Sequence, residues 1–267
     1  AKTVKVNADK PQEQARFPVL EGEKTLVVTP LRRSARKNVL HRMEPPKEPT
    51  DKDLRLCSRY QGVKEFSVPV GFESKIHVDL VVVGCVAASK NGLRIGKGEG
   101  FADLEWAMMC SMGAVDDSTV VVATCHDCQV LDLPEKLFGE HDLTVDYILT
   151  PTQMIQCDKR GKPKKIFWDM LSEEKLERIP ILKKLRFMER QAGRDTKLEG
   201  QTEDLIVQPG EEYVEPEEPE EDEEEEDRRR NRRRYNRQRR PRPRREENGE
   251  EGAPAPRWPS PPPPRPA

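Results

Sequence analysis

The densest chemistry in this chain lies in ten consecutive residues, Arg94-Ile95-Gly96-Lys97-Gly98-Glu99-Gly100-Phe101-Ala102-Asp103. Glycines at alternate positions let a backbone approach a ligand closely and turn its N–H groups toward one point, which is how loops hold anions. A helical pattern follows, so the positive end of a helix dipole would face the same ligand. Arg94 and Lys97 would add charge for phosphates, so the candidate binding set is Arg94, Gly96, Lys97, Gly98, Gly100 and Asp103. Two familiar loops are excluded. The dinucleotide fingerprint needs a glycine where Phe101 stands, and the P-loop needs a hydroxyl residue where Gly98 stands. The competing reading is a tight turn without a ligand.

Other constellations are weaker. Cys125-His126-Asp127-Cys128 has a Cys-x-x-Cys spacing, but a structural zinc site needs four ligands and the only other nearby candidates in sequence are His141 and Cys157. Gln129-Val130-Leu131 does not read as the helix start that a redox pair needs. Strand-end packing is the expectation, with His126 and Asp127 lining a site mouth, because ligands of open α/β sheets bind at the carboxyl ends of strands. The six cysteines, at 57, 85, 110, 125, 128 and 157, show no disulfide framework and read as reduced thiols. No nucleophile elbow is present. Glu173, Glu174, Lys175, Glu177 and Arg178 read as a solvated helix face.

The elements that must position the loop are legible from apolar runs. Val78 to Val83 is a continuous run, the mark of a strand covered on both faces. The glycine-bearing loop covers residues 84–102, and Asp103 reads as the cap of a helix carrying Leu104, Ala107, Met108 and Met112, with Gly113 closing it. Residues 119–125 form the next buried strand, so the unit is βαβ with a parallel crossover. Residues 24–28 and 145–149 read as further strands, residues 66–70 as an edge strand because of Pro69, and Ile166-Phe167-Trp168 as one more. Residues 32–50 read as loop, residues 51–60 as a short helix, and Ser172 as the cap of a helical stretch to about Gln191, interrupted or kinked at Pro180. The fold class expected is α/β, an open, mostly parallel sheet with helices on both faces.

Charge divides the chain. Residues 201–267 hold 14 Arg, no Lys, 19 acidic residues and 13 of the 24 prolines, too polar a composition to bury a core, so a disordered tail is expected there. Residues 1–200 are expected to form the domain, N-terminally incomplete since the chain opens on Ala1 in mid-pattern. Within the tail, 13 of residues 211–227 are acidic and 12 of residues 228–245 are arginine. Arginine without lysine suits stacking and bidentate phosphate contacts, which points to RNA as a partner through Arg232, Arg233, Arg234, Tyr235, Arg237, Arg239 and Arg240. The proline-rich end, residues 259–266, would offer polyproline II to an SH3 or WW domain. No apolar stretch is long enough to span a membrane. Localisation reads as cytoplasmic, with the arginine block also able to act as a nuclear import signal.

The glycine segment resembles the signature Arg-x-Gly-x-Gly-x-Gly-Tyr-Tyr-Asp of the 5-formyltetrahydrofolate cyclo-ligase family (methenyltetrahydrofolate synthetases). The preceding strand and the approach Glu140-His141-Asp142-Leu143-Thr144-Val145-Asp146 to the last strand resemble it too. The likeness runs from about Lys2 to Lys197 and is greatest to a divergent branch. It implies a Rossmann-like doubly wound fold, ATP and Mg²⁺, and closure of 5-formyltetrahydrofolate to the 5,10-methenyl form. In that mechanism ATP activates the formyl oxygen as a phosphate ester, N10 attacks the carbon and phosphate leaves. By the same resemblance Arg94 and the three glycines would cradle phosphates, and Asp103 would stand near the metal. Departures count against catalysis: Phe101-Ala102 replaces the two tyrosines, and Ser89 stands where the family carries an aspartate. The family's basic N-terminal helix and folate-contacting glutamate are also not found. The expectation therefore leans to an RNA-associated intracellular protein with a non-catalytic domain, a pseudoenzyme that keeps a loop able to hold nucleotide. The alternative is an ATP-dependent 5-formyltetrahydrofolate cyclo-ligase.

Overall fold

The computed structural model describes residues 1–7, 9–29, 38–72, 74–202 and 212–214. They belong to a unit spanning Ala1–Val214; a second, Glu215–Ala267, lies outside the described residues. At the centre of the first is β1 (Thr3–Val6), followed by α1 (Glu13–Glu21) and β2 (Thr25–Val28). Then come β3 (Leu40–Met43), α2 (Asp51–Cys57), α3 (Tyr60–Phe66) and β4 (Ser67–Val70). β5 (Leu80–Gly84), the small hairpin β6 (Ala87–Ala88) and β7 (Arg94–Ile95), α4 (Phe101–Ser111) and β8 (Val120–Thr124) form the next unit. β9 (Tyr147–Leu149), β10 (Met154–Gln156), α5 (Glu173–Arg178) and α6 (Ile181–Gln191) complete the order.

Eight strands make one sheet in the order β10-β9-β8-β5-β1-β2-β3-β4. The five central strands, β9-β8-β5-β1-β2, run parallel, while β10 on one side and β3 and β4 on the other pair antiparallel. The sheet is thus mostly parallel, as expected. From β1 the chain builds outward to β2 on one side and later to β5, β8 and β9 on the other. The switch in direction falls between β1 and β5, where such sheets open a crevice at the strands' carboxyl ends.

Alternation along the strands loads both faces. Val81, Val83, Val121 and Ala123 pack with Trp106 and Met109 of α4 and with Leu182 and Leu185 of α6. Val4, Val6, Leu26, Val28 and Val82 pack on the other face with Val19 and Leu20 of α1 and Val63 of α3. The α2–α3 corner admits no side chain at Gly62: a Cβ there would lie 2.0 Å from the Leu56 carbonyl oxygen. Thr50 and Asp53 form a reciprocal capping box at α2, and the Ser172 hydroxyl accepts the Lys175 N–H at α5.

Several local expectations are corrected. Residues 32–50 are not all loop, since Leu40–Met43 is a strand held by its neighbours on both sides rather than by its own propensity. Ile166-Phe167-Trp168 is not a strand: Trp168–Met170 is a 3-10 turn, and the buried Trp168 ring donates to Glu189 Oε2 at 2.8 Å. Asp103 is not a helix cap. The helix begins two residues earlier, after Gly100 in the left-handed conformation at φ 65°. The helical stretch from Ser172, by contrast, is interrupted at Pro180 as expected and forms two helices.

Candidate functional site

The glycine segment lies at the carboxyl ends of β1 and β5. Arg94, on β7, reaches back under the loop, its side chain 1% exposed. Its Nη2 donates to Asp103 Oδ1, an oxygen that also accepts the Leu143 N–H at 3.0 Å, and its Nη1 lies 3.5 Å from the Gly84 carbonyl oxygen. Gly96 eases this approach: a Cβ there would stand 3.1 Å from Arg94 Nη1, a tight contact that the guanidinium would have to relieve. Gly98 and Gly100 both have left-handed backbones, at φ 85° and 65°. Among the described residues, the N–H groups of Gly96, Gly98 and Gly100 have no hydrogen-bond partner. Amides without a protein partner, close in the chain to a buried guanidinium, are donors that an anion could engage.

The structure brings together residues that sequence reasoning passed over. Lys97 ion-pairs with Asp9, from the turn after β1, 88 positions away. The Asp9 Oδ1 atom is buried without a partner, as is the Arg94 Nε. Gln12, buried, exchanges hydrogen bonds with the Thr124 hydroxyl at the end of β8, its Nε2 donating at 2.8 Å and its Oε1 accepting at 2.9 Å. Gly84 leaves room for this bridge, since a Cβ there would stand 3.0 Å from Gln12 Nε2. Lys5, 1% exposed, holds Asn7 Oδ1 at 2.6 Å and Glu105 Oε2 of α4 at 2.5 Å. The buried Arg16 fixes the same turn by donating to the carbonyls of Asn7, Asp9 and Ser58; burial pushes its pKa down. A single lysine inside the apolar run Val4-Lys5-Val6 was the one sequence signal available for this cluster.

The other expected residues fall nearby in part. Asp127 accepts the hydroxyls of Thr150 at 2.6 Å and Thr152 at 2.5 Å, which hold its carboxyl below the usual range. His126 N–H donates to Gln129, whose amide spans to the carbonyls of Cys85 and Val86. These groups tie the ends of β5, β8 and β9 together. Burial, with Cys125 beside it, pushes the Cys85 thiol up to about 12, so it stays protonated, as packing cysteines do. Ser89 is a buried hairpin residue whose hydroxyl accepts the Leu93 N–H at 3.3 Å. No group of three or more metal-binding side chains occurs among the described residues, and no helix there is long and apolar enough to cross a membrane. The RNA set Arg232, Arg233, Arg234, Tyr235, Arg237, Arg239 and Arg240, and the proline-rich end, lie outside the described residues.

The sequence model of the 5-formyltetrahydrofolate cyclo-ligase family matches residues 1–151. The chain belongs to that family. It is 54% identical over 196 residues to the methenyltetrahydrofolate synthase domain-containing protein of Danio rerio, covering 73% of this chain and 51% of that one. The Bos taurus protein of the same name is 55% identical over 199 residues, 74% of this chain and 52% of that one. The Homo sapiens protein is 53% identical over 203 residues, 76% and 52% respectively. The chain spans about half the length of these curated relatives.

Membership overturns the expectation of a non-catalytic, RNA-associated protein and the leaning away from an enzyme. The physical reason lies in what a residue-by-residue tally of lost groups omits. Ser89 faces the hairpin interior, while Asp9 and Glu105 bring carboxylates to the carboxyl edge from other elements. The Phe101 ring keeps a polar neighbour, the Lys175 ammonium 5.1 Å from its centroid.

Proposed function

We propose that this domain is an ATP-dependent 5-formyltetrahydrofolate cyclo-ligase, closing its substrate to the 5,10-methenyl form with release of ADP and phosphate. One observation carries the reading: three glycine N–H groups without a protein partner follow a buried arginine in the loop at the carboxyl ends of β1 and β5. Such donors, fixed before the ligand arrives, need no reorganisation as charge develops on transferred phosphate. Gly96, Gly98 and Gly100 would bind phosphate oxygens through the backbone. Arg94, anchored by Asp103 and the Gly84 carbonyl, would supply the buried positive charge, and Lys97, paired with Asp9, the exposed one.

The donor set also fits Mg²⁺. Asp103 spends Oδ1 on Arg94 and Leu143, which leaves Oδ2 to hold the ion. When bound, Mg²⁺ neutralises phosphate charge. Asp9, with one buried oxygen unpartnered, suits the adjacent N–H donors on the amino-pyrimidinone edge of a pteridine. The Gln12–Thr124 bridge would keep the floor between β1, β5 and β8 rigid and hold both substrates in line.

The full-length protein should form methenyl-folate, followed by its absorbance, when given 5-formyltetrahydrofolate, ATP and Mg²⁺. Asp103→Asn should remove the signal. An intact protein that binds neither ATP nor folate, and makes no product, sinks the reading.

A further inference from the structure

The C-terminal helices lie beyond residue 151, where the family match ends, yet one of them touches the glycine loop directly. Lys175 Nζ donates to the Glu99 carbonyl oxygen at 2.9 Å and stands 5.1 Å over the Phe101 ring. One turn on, Arg178 Nη2 lies 3.6 Å from the Glu99 carboxylate. The helix is seated firmly enough to act: Ser172 caps it and Leu176 is buried in the core.

Peptide geometry gives this contact a consequence. The Glu99–Gly100 bond is trans, so its C=O and N–H point in opposite directions. With the carbonyl drawn toward Lys175, the Gly100 N–H is turned away from α5, and it is one of the loop's unpaired donors. Glycine on one side of that bond makes rotation of the whole peptide sterically cheap. A rotated peptide would present a carbonyl oxygen to an incoming anion, which repels it.

We infer that Lys175 is a positioning residue of the phosphate site: by holding the Glu99 carbonyl it keeps the Gly100 N–H in the anion-binding orientation. α5 is therefore part of the nucleotide site. This rests on the reading of the glycine loop as a phosphate site. The face expected to be merely solvated has a task at this one lysine.

The test uses the full chain and measures ATP affinity by calorimetry without folate. Lys175→Met should raise the Kd for ATP about tenfold, the scale of one charge-assisted hydrogen bond, and the KM for ATP in step. The KM for 5-formyltetrahydrofolate and the melting temperature should change little. Lys175→Arg, which keeps a donor and the ring contact, should restore affinity, and Lys175→Gln, a neutral donor, should recover part of it. ATP should shift the Gly100 amide resonance in wild type, and much less in Lys175→Met. Unchanged affinity in Lys175→Met overturns the inference. So does a loss that moderate salt erases, or that Lys175→Arg and Lys175→Gln fail to relieve, since either marks a distant charge or a packing role. If wild type binds ATP but makes no methenyl product, the assigned reaction falls while these affinities still decide the inference. If wild type does not bind ATP, both fall.

Discussion

The two edges of the sheet carry similar residues to opposite ends. At the amino edge, Asp79 Oδ2 accepts the N–H groups of Lys2 at 2.5 Å and Thr3 at 2.9 Å, and His77 lies 3.2 Å from both Asp79 and Asp116. Asp116 in turn takes the backbone and hydroxyl of Ser118, and the Thr119 hydroxyl donates to the Val78 carbonyl at 2.8 Å. Each charge there finishes a strand or a turn. At the carboxyl edge the same residue types leave vacancies in the bonding: Asp9 Oδ1 and Arg94 Nε are buried without partners, and three glycine amides face no acceptor. Polar groups that satisfy one another hold a fold together, whereas polar groups without protein partners are the ones a ligand or water can engage.

That contrast breaks or holds first at Asp103. Asp103→Ala leaves Arg94 buried without its carboxylate, so stability should fall by about 3 kcal/mol in urea titration. Methenyl formation should fall at least about a hundredfold. Normal turnover in that variant would dissolve the distinction between the edges. The matching change at the other edge, Asp79→Ala, should lower stability by about 1 kcal/mol and leave kcat/KM of the folded protein unaltered. A loss of activity there would mean the amino edge takes part in function.

Smaller effects sharpen the comparison. Gly98 has open space around a would-be Cβ but a backbone at φ 85°, so Gly98→Ala meets no clash and only strain. It should cost about 1 kcal/mol and weaken ATP binding, because relief of the strain turns the amide aside. The smallest effect is on pH. The neighbouring carboxylates, Asp116 first and then Asp79, raise the His77 pKa above 6.5. Its contribution is complete below about pH 6.5 and fades as pH climbs through the higher folded value. Two backbone N–H groups hold Asp79 down at about 2, so its contribution is complete above 3.8 and is lost as pH falls toward 2. Melting curves of wild type and His77→Gln should converge above neutrality, with wild type more stable near pH 6.

How far the sequence carried depends on the range of the interaction. The continuous runs of β5 and β8, the amphipathic helix between them and the Pro69 edge strand were readable because each is set by neighbours within a few residues. β1 was not assigned, although it is the central strand. Four residues with a lysine among them have no local mark, and the strand is defined by pairing with β2 and β5 from 20 to 80 positions away. Likewise β3 lay inside a basic, proline-broken stretch that only its sheet partners make extended.

For the site, sequence alone marked the glycine loop. Three glycines, an arginine, a lysine and a following helix lie within ten residues, a local pattern that suits anion binding. It did not determine what surrounds that loop. Asp9, Gln12, Glu105 and Lys175 come from four separate elements, and their contacts with Lys97, Thr124, Lys5 and Glu99 span between 76 and 112 positions. A tally of residues missing from a motif could not weigh groups that return from elsewhere in the chain. Only the tertiary structure could bring them to one edge, because hydrogen bonds and ion pairs depend on distance in space and leave no trace in the spacing of residues along a chain.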